Sequence, residues 1–308
     1  MNSHKWTPSD LPALDGRTVV ITGATSGIGR AAAAELSRAG ARVVMAVRDT
    51  QRGEQVAAGM AGDPEVRRLD LTDLASVRAF ADGWDGDIDV LINNAGVMAV
   101  PEGRTGDGFE TQIGTNHLGH FALTGLLLSH VTERVVTLSS GAHRMGTIDL
   151  ADLNWERRSY KRWPAYGQSK LANLLFTFEL QRRLAEAGSP VRAVAAHPGY
   201  ASTELQSRTG NPLQNGLMAI GNRLLAQSGE QGAWPTLYAA TQDIPGGAYV
   251  GPDGRREIRG HPTLVLPNSS ATDAQTARGL WELSERLTGV VYELPGRASA
   301  ASEPSRTA

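Results

Sequence analysis

Residues 17–29 read RTVVITGATSGIG, a β-branched run, a glycine-rich turn and the opening of a helix, and this stretch decides the fold. Thr, Val and Ile pack well on a pleated surface, so residues 17–21 read as a strand. Residues 30–38, rich in alanine, read as the helix that follows. Each glycine between them has its own task in a dinucleotide cradle: Gly23 permits the tight turn, Gly27 lets the backbone approach a pyrophosphate, and Gly29 permits close packing of helix on strand. Thr25, Ser26 and Ile28 fill the rest of the turn, and the helix N-terminus offers unpaired N–H groups to phosphate oxygens. A glycine turn alone is a weak signal, since an ordinary βα connection has the same composition. Its setting between a readable strand and a readable helix is what carries the reading.

Working outward, further apolar runs at 42–47, 66–69, 90–93, 135–139 and 191–196 alternate with helical stretches. Strands that alternate with helices imply α/β architecture, here a doubly wound Rossmann fold with a central parallel sheet and helices on both faces. No internal repeat or interior linker divides the chain, so residues 15–296 are expected to form a single catalytic domain behind a 1–14 extension. Residues 297–308 are small and polar with little to bury, and are expected to be disordered. Residues 200–232 interrupt the alternation around an LMAI segment and are expected to act as a substrate lid.

Composition removes several classes of function. The 308 residues carry a formal net charge of −2, without the basic excess that gathers nucleic acid or anionic lipid. There is no cysteine, so disulfides, thiolate nucleophiles and sulfur-ligated metals are excluded together. His117, His120 and His143 suggest a metal at first sight, but without cysteine or paired-carboxylate spacing no metal site is expected, and packed or solvent-facing histidines are favoured. No apolar run is long enough for a membrane span and no secretory leader is visible, so a cytoplasmic protein is expected.

Two stretches support the dinucleotide reading. Asp70 and Leu71 follow the third strand, where an adenine would lie, and Asn93-Asn94-Ala95-Gly96 follows the fourth, at the carboxyl edge where open α/β sheets bind ligands. Further on, Tyr166 and Lys170 stand four apart in AYGQSKLANLLFTFEL and so share one helix face. A nearby ammonium favours the ionised phenol, whose unperturbed pKa of about 10 is too high for proton exchange near neutrality.

TGxxxGIG, NNAG and YxxxK in this order resemble the short-chain dehydrogenase/reductase family over about residues 15–290. TNHLGHFALT (115–124), AYGQSKLANLLF (165–176), HPG (197–199) and LWELSERLTG (280–289) are similar to its retinol-dehydrogenase-like branch. The resemblance implies a catalytic set of Tyr166, Lys170, Ser140 and Asn116, with Ser139 as the fallback for the serine. Asn116 is expected to hold a water that links Lys170 to solvent, the other reading being a structural asparagine. Tyr166, Lys170, Asn94, Ala95, Gly96, Pro198, Gly199 and Thr203 are implied as cofactor contacts, with Lys170 on the nicotinamide ribose, Pro198 and Gly199 against the nicotinamide, and Thr203 reaching its carboxamide or the phosphates. Family members that use NAD place an acid at the end of the second strand; here Val47 and Arg48 stand there, which favours NADP over NAD, with Asp49 one residue beyond. Reduction of an apolar ketone or aldehyde is expected, the alternatives being alcohol oxidation or non-catalytic NADP sensing. A homodimer or homotetramer through the helices starting near Asn116 and Tyr166 is implied, although the C-terminal segment could block one interface. Between Ser140 and Tyr166 lies an unusually long excursion, in which Trp155, Arg157 and Trp163 are expected either to border the pocket mouth or to be surface packing.

Overall fold

The computed structural model describes residues 5–199 and 229–294. Thr203, most of the expected lid and the expected C-terminal tail lie outside the described residues; the lid's last four residues, from Gly229, belong to a helix.

Eight strands form one sheet in the order β3-β2-β1-β4-β5-β6-β7-β8. They are β1 (Thr18–Thr22), β2 (Arg42–Val47), β3 (Glu65–Arg68), β4 (Ile88–Asn93), β5 (Val131–Leu138), β6 (Arg192–Ala196), β7 (Tyr249–Pro252) and β8 (Pro262–Leu264). The first seven pair in parallel and β8 pairs antiparallel to β7. Strand order reverses between β1 and β4, which opens a crevice at their carboxyl ends.

Successive side chains of β1 and β2 point to opposite faces, and both faces are covered. Val19, Ile21, Val43 and Met45 join Ala32 and Leu36 of α1 (Gly27–Arg38) and Leu237 of α6 (Gly229–Thr241). Val20 and Val44 join Val77 of α3 (Leu74–Asp82), Phe121 of α4 (Gly119–Leu127) and Phe176 of α5 (Arg162–Glu186). Burial on both faces is why β2 reads as an almost unbroken apolar run. α2 (Thr50–Ala57) follows β2 and starts at the crevice.

The N-terminal extension is pinned by Trp6, buried and edge-on to Tyr238 at 5.5 Å. At the other end α7 (Ala274–Thr288) lies across α4 and α5: Trp281 stacks on Phe176 at 5.9 Å, and the Tyr292 hydroxyl donates to the Phe121 carbonyl at 2.6 Å. The two helices through which association was expected therefore carry α7 on part of their outer surface. Among the described residues no helix is long and apolar enough to cross a membrane.

Candidate active site

A cleft of about 490 Å³ opens at the carboxyl ends of β1, β2, β4 and β5. Its walls include Gly23, Thr25, Ser26, Gly27, Ile28 and Gly29 of the first turn, Arg48, Asp70 and Leu71, then Asn94, Ala95 and Gly96, and finally Tyr166, Lys170 and Pro198. Residues spread from Gly23 to Pro198 thus meet at one crevice. Gly199 follows Pro198 with φ +68° and does not itself line the cleft.

Gly23 is at φ +69°, and a Cβ there would stand 2.8 Å from the Ala95 Cβ. A Cβ on Gly29 would run into the Asn94 side-chain amide and the Gly23 carbonyl, so this turn and the β4 loop can approach only as glycine. Thr22 joins them: its Oγ1 accepts the Asn94 and Ala95 N–H groups, each at 2.9 Å, while Asn94 Nδ2 donates to the Thr22 carbonyl at 2.7 Å.

At the end of β2, Val47 is buried and Arg48 is exposed. Asp49 Oδ1 accepts the Arg52 N–H at 3.0 Å and caps α2. Arg52 also lines the cleft, so two guanidinium groups border this corner. Arg52 was not singled out in the sequence, although its place one helical turn after Arg48 was a usable signal. Asp70 is held locally, its Oδ1 accepting from the Thr72 N–H at 3.0 Å and the Thr72 hydroxyl at 2.7 Å.

At the opposite end, Tyr166 and Lys170 lie one turn apart on α5, with the ammonium nitrogen 5.9 Å from the phenol ring centre. Lys170 Nζ donates to the Leu138 carbonyl at 3.1 Å, and burial lowers its pKa to about 8. Burial raises the Tyr166 phenol above its ordinary value, and a hydrogen bond with the Ser140 hydroxyl opposes that rise. The protein's own groups therefore leave the phenol raised, whereas the sequence pattern suggested that the lysine would depress it. Ser139 spends its hydroxyl on the Lys170 carbonyl at 2.9 Å, and Ser140 accepts the Ala142 N–H at 3.2 Å while meeting the phenol. Of the two serines, Ser139 lines the cleft and Ser140 meets Tyr166; neither Ser140 nor Asn116 is itself on the cleft wall.

Asn116 sits in a π-helical turn, Gly114–Leu118, that leads into α4. Its side chain accepts the Val97 N–H at 2.8 Å and donates to the Val97 carbonyl at 2.9 Å and to Ser169 Oγ at 2.8 Å. The amide is thus engaged in bracing the β4 loop against α5. His120 bridges the Asn116 carbonyl at 3.0 Å and Thr22 Oγ1 at 2.8 Å. His117 reaches Ser284 of α7 at 2.9 Å, and His143 donates to the Ser140 carbonyl at 2.7 Å. Among the described residues no three potential ligands cluster as a metal would need.

His197 accepts the Gly199 N–H through Nδ1 at 3.2 Å, and its Nε2 lies 3.0 Å from Glu257 Oε2. Glu257 in turn meets Arg144 at 3.0 Å, and both it and Arg256 are at φ +56°, unusual for residues with a Cβ. No sequence signal pointed to Glu257, which stands sixty residues beyond its partner. The long excursion divides: Trp155 is buried under the Arg158 guanidinium, 3.8 Å from the ring centre, and Arg157 is exposed. Trp163, 43% exposed, packs edge-on to Tyr166 at 6.1 Å.

Residues 17–213 match the family model described as short chain dehydrogenase. Retinol dehydrogenase 13 of Homo sapiens is 42% identical over 296 residues, covering 90% of this chain and 86% of that protein. Polyprenol dehydrogenase of Mus musculus is 40% identical over 301 residues, covering 92% and 87%. Among solved structures, an uncharacterized protein from Mycobacterium paratuberculosis superposes with a TM-score of 0.83 at 57% identity, covering 94% of this chain and all of that one.

Proposed function

Because this chain belongs to the short-chain dehydrogenase family, we propose that it is an NADP-dependent reductase that converts an apolar ketone or aldehyde to the alcohol. Its kinship to retinol dehydrogenases makes it an oxidoreductase acting on alcohols and carbonyls; cofactor, direction and substrate are what the proposal adds. The observation that carries it is the convergence of Tyr166 and Lys170, with Ser140 against the phenol, at one end of a cleft whose other end holds Arg48 and Arg52.

The cleft suits a dinucleotide. Gly23 and Gly29 leave room where a Cβ would collide, Gly23–Gly29 brings the N-terminus of α1 to the phosphates, and the two arginines offer bidentate contact to a 2′-phosphate. Asp49, which lines the same corner, spends one carboxylate oxygen on capping α2. Asp70, Leu71, Asn94, Ala95, Gly96 and Pro198 would hold the remainder of the cofactor, with Gly199 and Thr203 as further contacts of the reading.

When bound, reduced nicotinamide supplies the hydride. Tyr166 then gives its phenolic proton to the developing alkoxide oxygen, and Ser140 donates a hydrogen bond that orients that oxygen. Lys170, as an ammonium, favours the phenolate left behind. Asn116 keeps the β4 loop and α5 in register around that ammonium. Trp163 beside the phenol, the exposed Met145 beside Gly167, and Val97 and Met98 on the cleft wall present apolar surface, which agrees with the apolar alcohols in the relatives' names. Those names also favour a second reading, oxidation of such an alcohol by the same residues.

NADPH titration followed by ligand fluorescence, beside a turnover screen in both directions over aliphatic, aromatic and isoprenoid carbonyls and alcohols, tests the reading. Saturable NADPH binding with carbonyl reduction is expected. Binding without turnover across the panel would indicate a sensor, and no binding would overturn the proposal outright.

A further inference from the structure

The buried histidine that bridges the end of β1 and the π-turn has a defined protonation state. His120 is 1% exposed, and its ring touches two oxygens of different kinds. The Asn116 carbonyl can only accept, so Nδ1 carries a proton and donates to it at 3.0 Å. Burial, together with the Lys170 charge, lowers the ring pKa to about 4, so the ring is neutral near pH 7 and Nε2 is bare. A bare Nε2 can only accept, so the Thr22 hydroxyl, 2.8 Å away, donates to it. With its hydrogen directed there, Thr22 Oγ1 keeps both lone pairs for the Asn94 and Ala95 N–H groups, each at 2.9 Å.

From this geometry we infer that His120 is a positioning residue, which in one neutral tautomer ties Thr22, behind the glycine turn and the β4 loop, to the π-turn at Asn116. The inference rests on the reading of the cleft as an NADP-dependent reductase site, and it assigns the two ring nitrogens separate tasks. Through Nε2, His120 orients Thr22 and thereby the β4 loop against the glycine turn. Through Nδ1, it fixes the peptide of Asn116, whose side chain braces Ser169, the neighbour of Lys170 on α5. The other tautomer would turn an N–H on Thr22, already facing two donors, and a lone pair on the Asn116 carbonyl. Neither contact could form.

Two substitutions separate the tasks. His120→Asn keeps a donor at the Nδ1 position and loses the acceptor for Thr22; it is expected to raise the NADPH dissociation constant about tenfold, the effect of one lost buried hydrogen bond, while the pH profile of kcat keeps its midpoint. His120→Gln keeps an acceptor at the Nε2 position and loses the donor to Asn116; it is expected to leave NADPH affinity within about twofold and to displace the pH profile of kcat or lower kcat about tenfold. Losses of affinity and turnover that are equal in both variants, or absent from both, would overturn the inference. ¹⁵N imidazole shifts of the wild-type protein at pH 7 supply a second test that survives if both variants fail to fold. They are expected to show Nδ1 protonated and Nε2 bare, and the reverse would overturn the inference. Wild-type protein that binds no NADPH would count against the functional reading, whereas the ¹⁵N result would still decide the tautomer.

Discussion

Asp49 Oδ1 accepts the backbone N–H of Arg52 at 3.0 Å, and this one hydrogen bond gives the acid at the end of β2 a helix-capping task. In family members that use NAD, an acid at the end of the second strand holds the ribose hydroxyls. Here the carboxylate caps α2, and Asp49 shares this corner of the cleft with Arg48 and Arg52. Arg48→Ala is therefore expected to weaken NADPH about tenfold or more, as for one charge-assisted phosphate contact, and NADH much less. Parallel titrations with both cofactors check this, and equal losses would remove Arg48 from the phosphate site.

The adjacent serines have different partners, and their substitutions should differ accordingly. Ser140 meets the Tyr166 phenol, so Ser140→Ala is expected to lower kcat about a hundredfold with little change in NADPH affinity. Ser139 bonds the Lys170 carbonyl, so Ser139→Ala is expected to cost about 1 kcal/mol of stability with a smaller loss of kcat. Steady-state kinetics and urea unfolding of the two variants separate the roles; the opposite pattern would exchange them.

Much of this site was legible because its signals are local. β2 occupies 42–47 as read, bounded by a tight turn at Gly40 and by the change from buried Val47 to exposed Arg48. α1 starts at Gly27, three residues before the alanine-rich stretch, because the glycine turn itself provides the first helical turn. β7 and β8 went unread: they have four and three residues, each contains a proline, and β7 is placed by β6 and β8 by β7. Nothing near Trp155 in sequence tells that it turns inward under Arg158, or that Glu257 folds back on His197. The second contact is tertiary, and the first rests on a local turn in which Trp155 takes φ +58°, a conformation its residue type does not announce. TGATSGIG was read for its glycines while Thr22, which ties two loops together, passed unremarked.

Two buried neutral histidines should make the fold sensitive to acid. Burial lowers His117 to about 3 and His120 to about 4, both below the free value near 6.5. Below pH 6.5 the unfolded chain takes up protons that the native state refuses, so this contribution is present above pH 6.5 and is lost as pH falls toward 4. His117→Gln is expected to reduce proton uptake on unfolding between pH 6.5 and 4 by about one. Urea unfolding at a series of pH values measures this, and an unchanged slope would contradict it.

α7 is expected to contribute strongly to stability through one side chain. Trp281 is 1% exposed, stacked on Phe176 and 5.1 Å from Phe121, and its indole N–H donates to Glu285 at 2.8 Å. Trp281→Ala is expected to cost about 3–5 kcal/mol, the usual range for a buried aromatic, without changing NADPH affinity in the protein that remains folded. Urea unfolding and cofactor titration of that variant test both parts. A loss below about 1 kcal/mol would mean that α7 is not anchored there.

Tyr166→Phe removes one oxygen from the site and leaves the ring, its packing against Trp163 and the cofactor cleft in place. The account predicts that NADPH affinity stays within about twofold while single-turnover hydride transfer to a carbonyl substrate falls about a thousandfold, the scale of a lost proton donor. Single-turnover rates close to wild type in the variant would contradict the assignment of Tyr166 as the proton donor, and with it the mechanism proposed for this cleft.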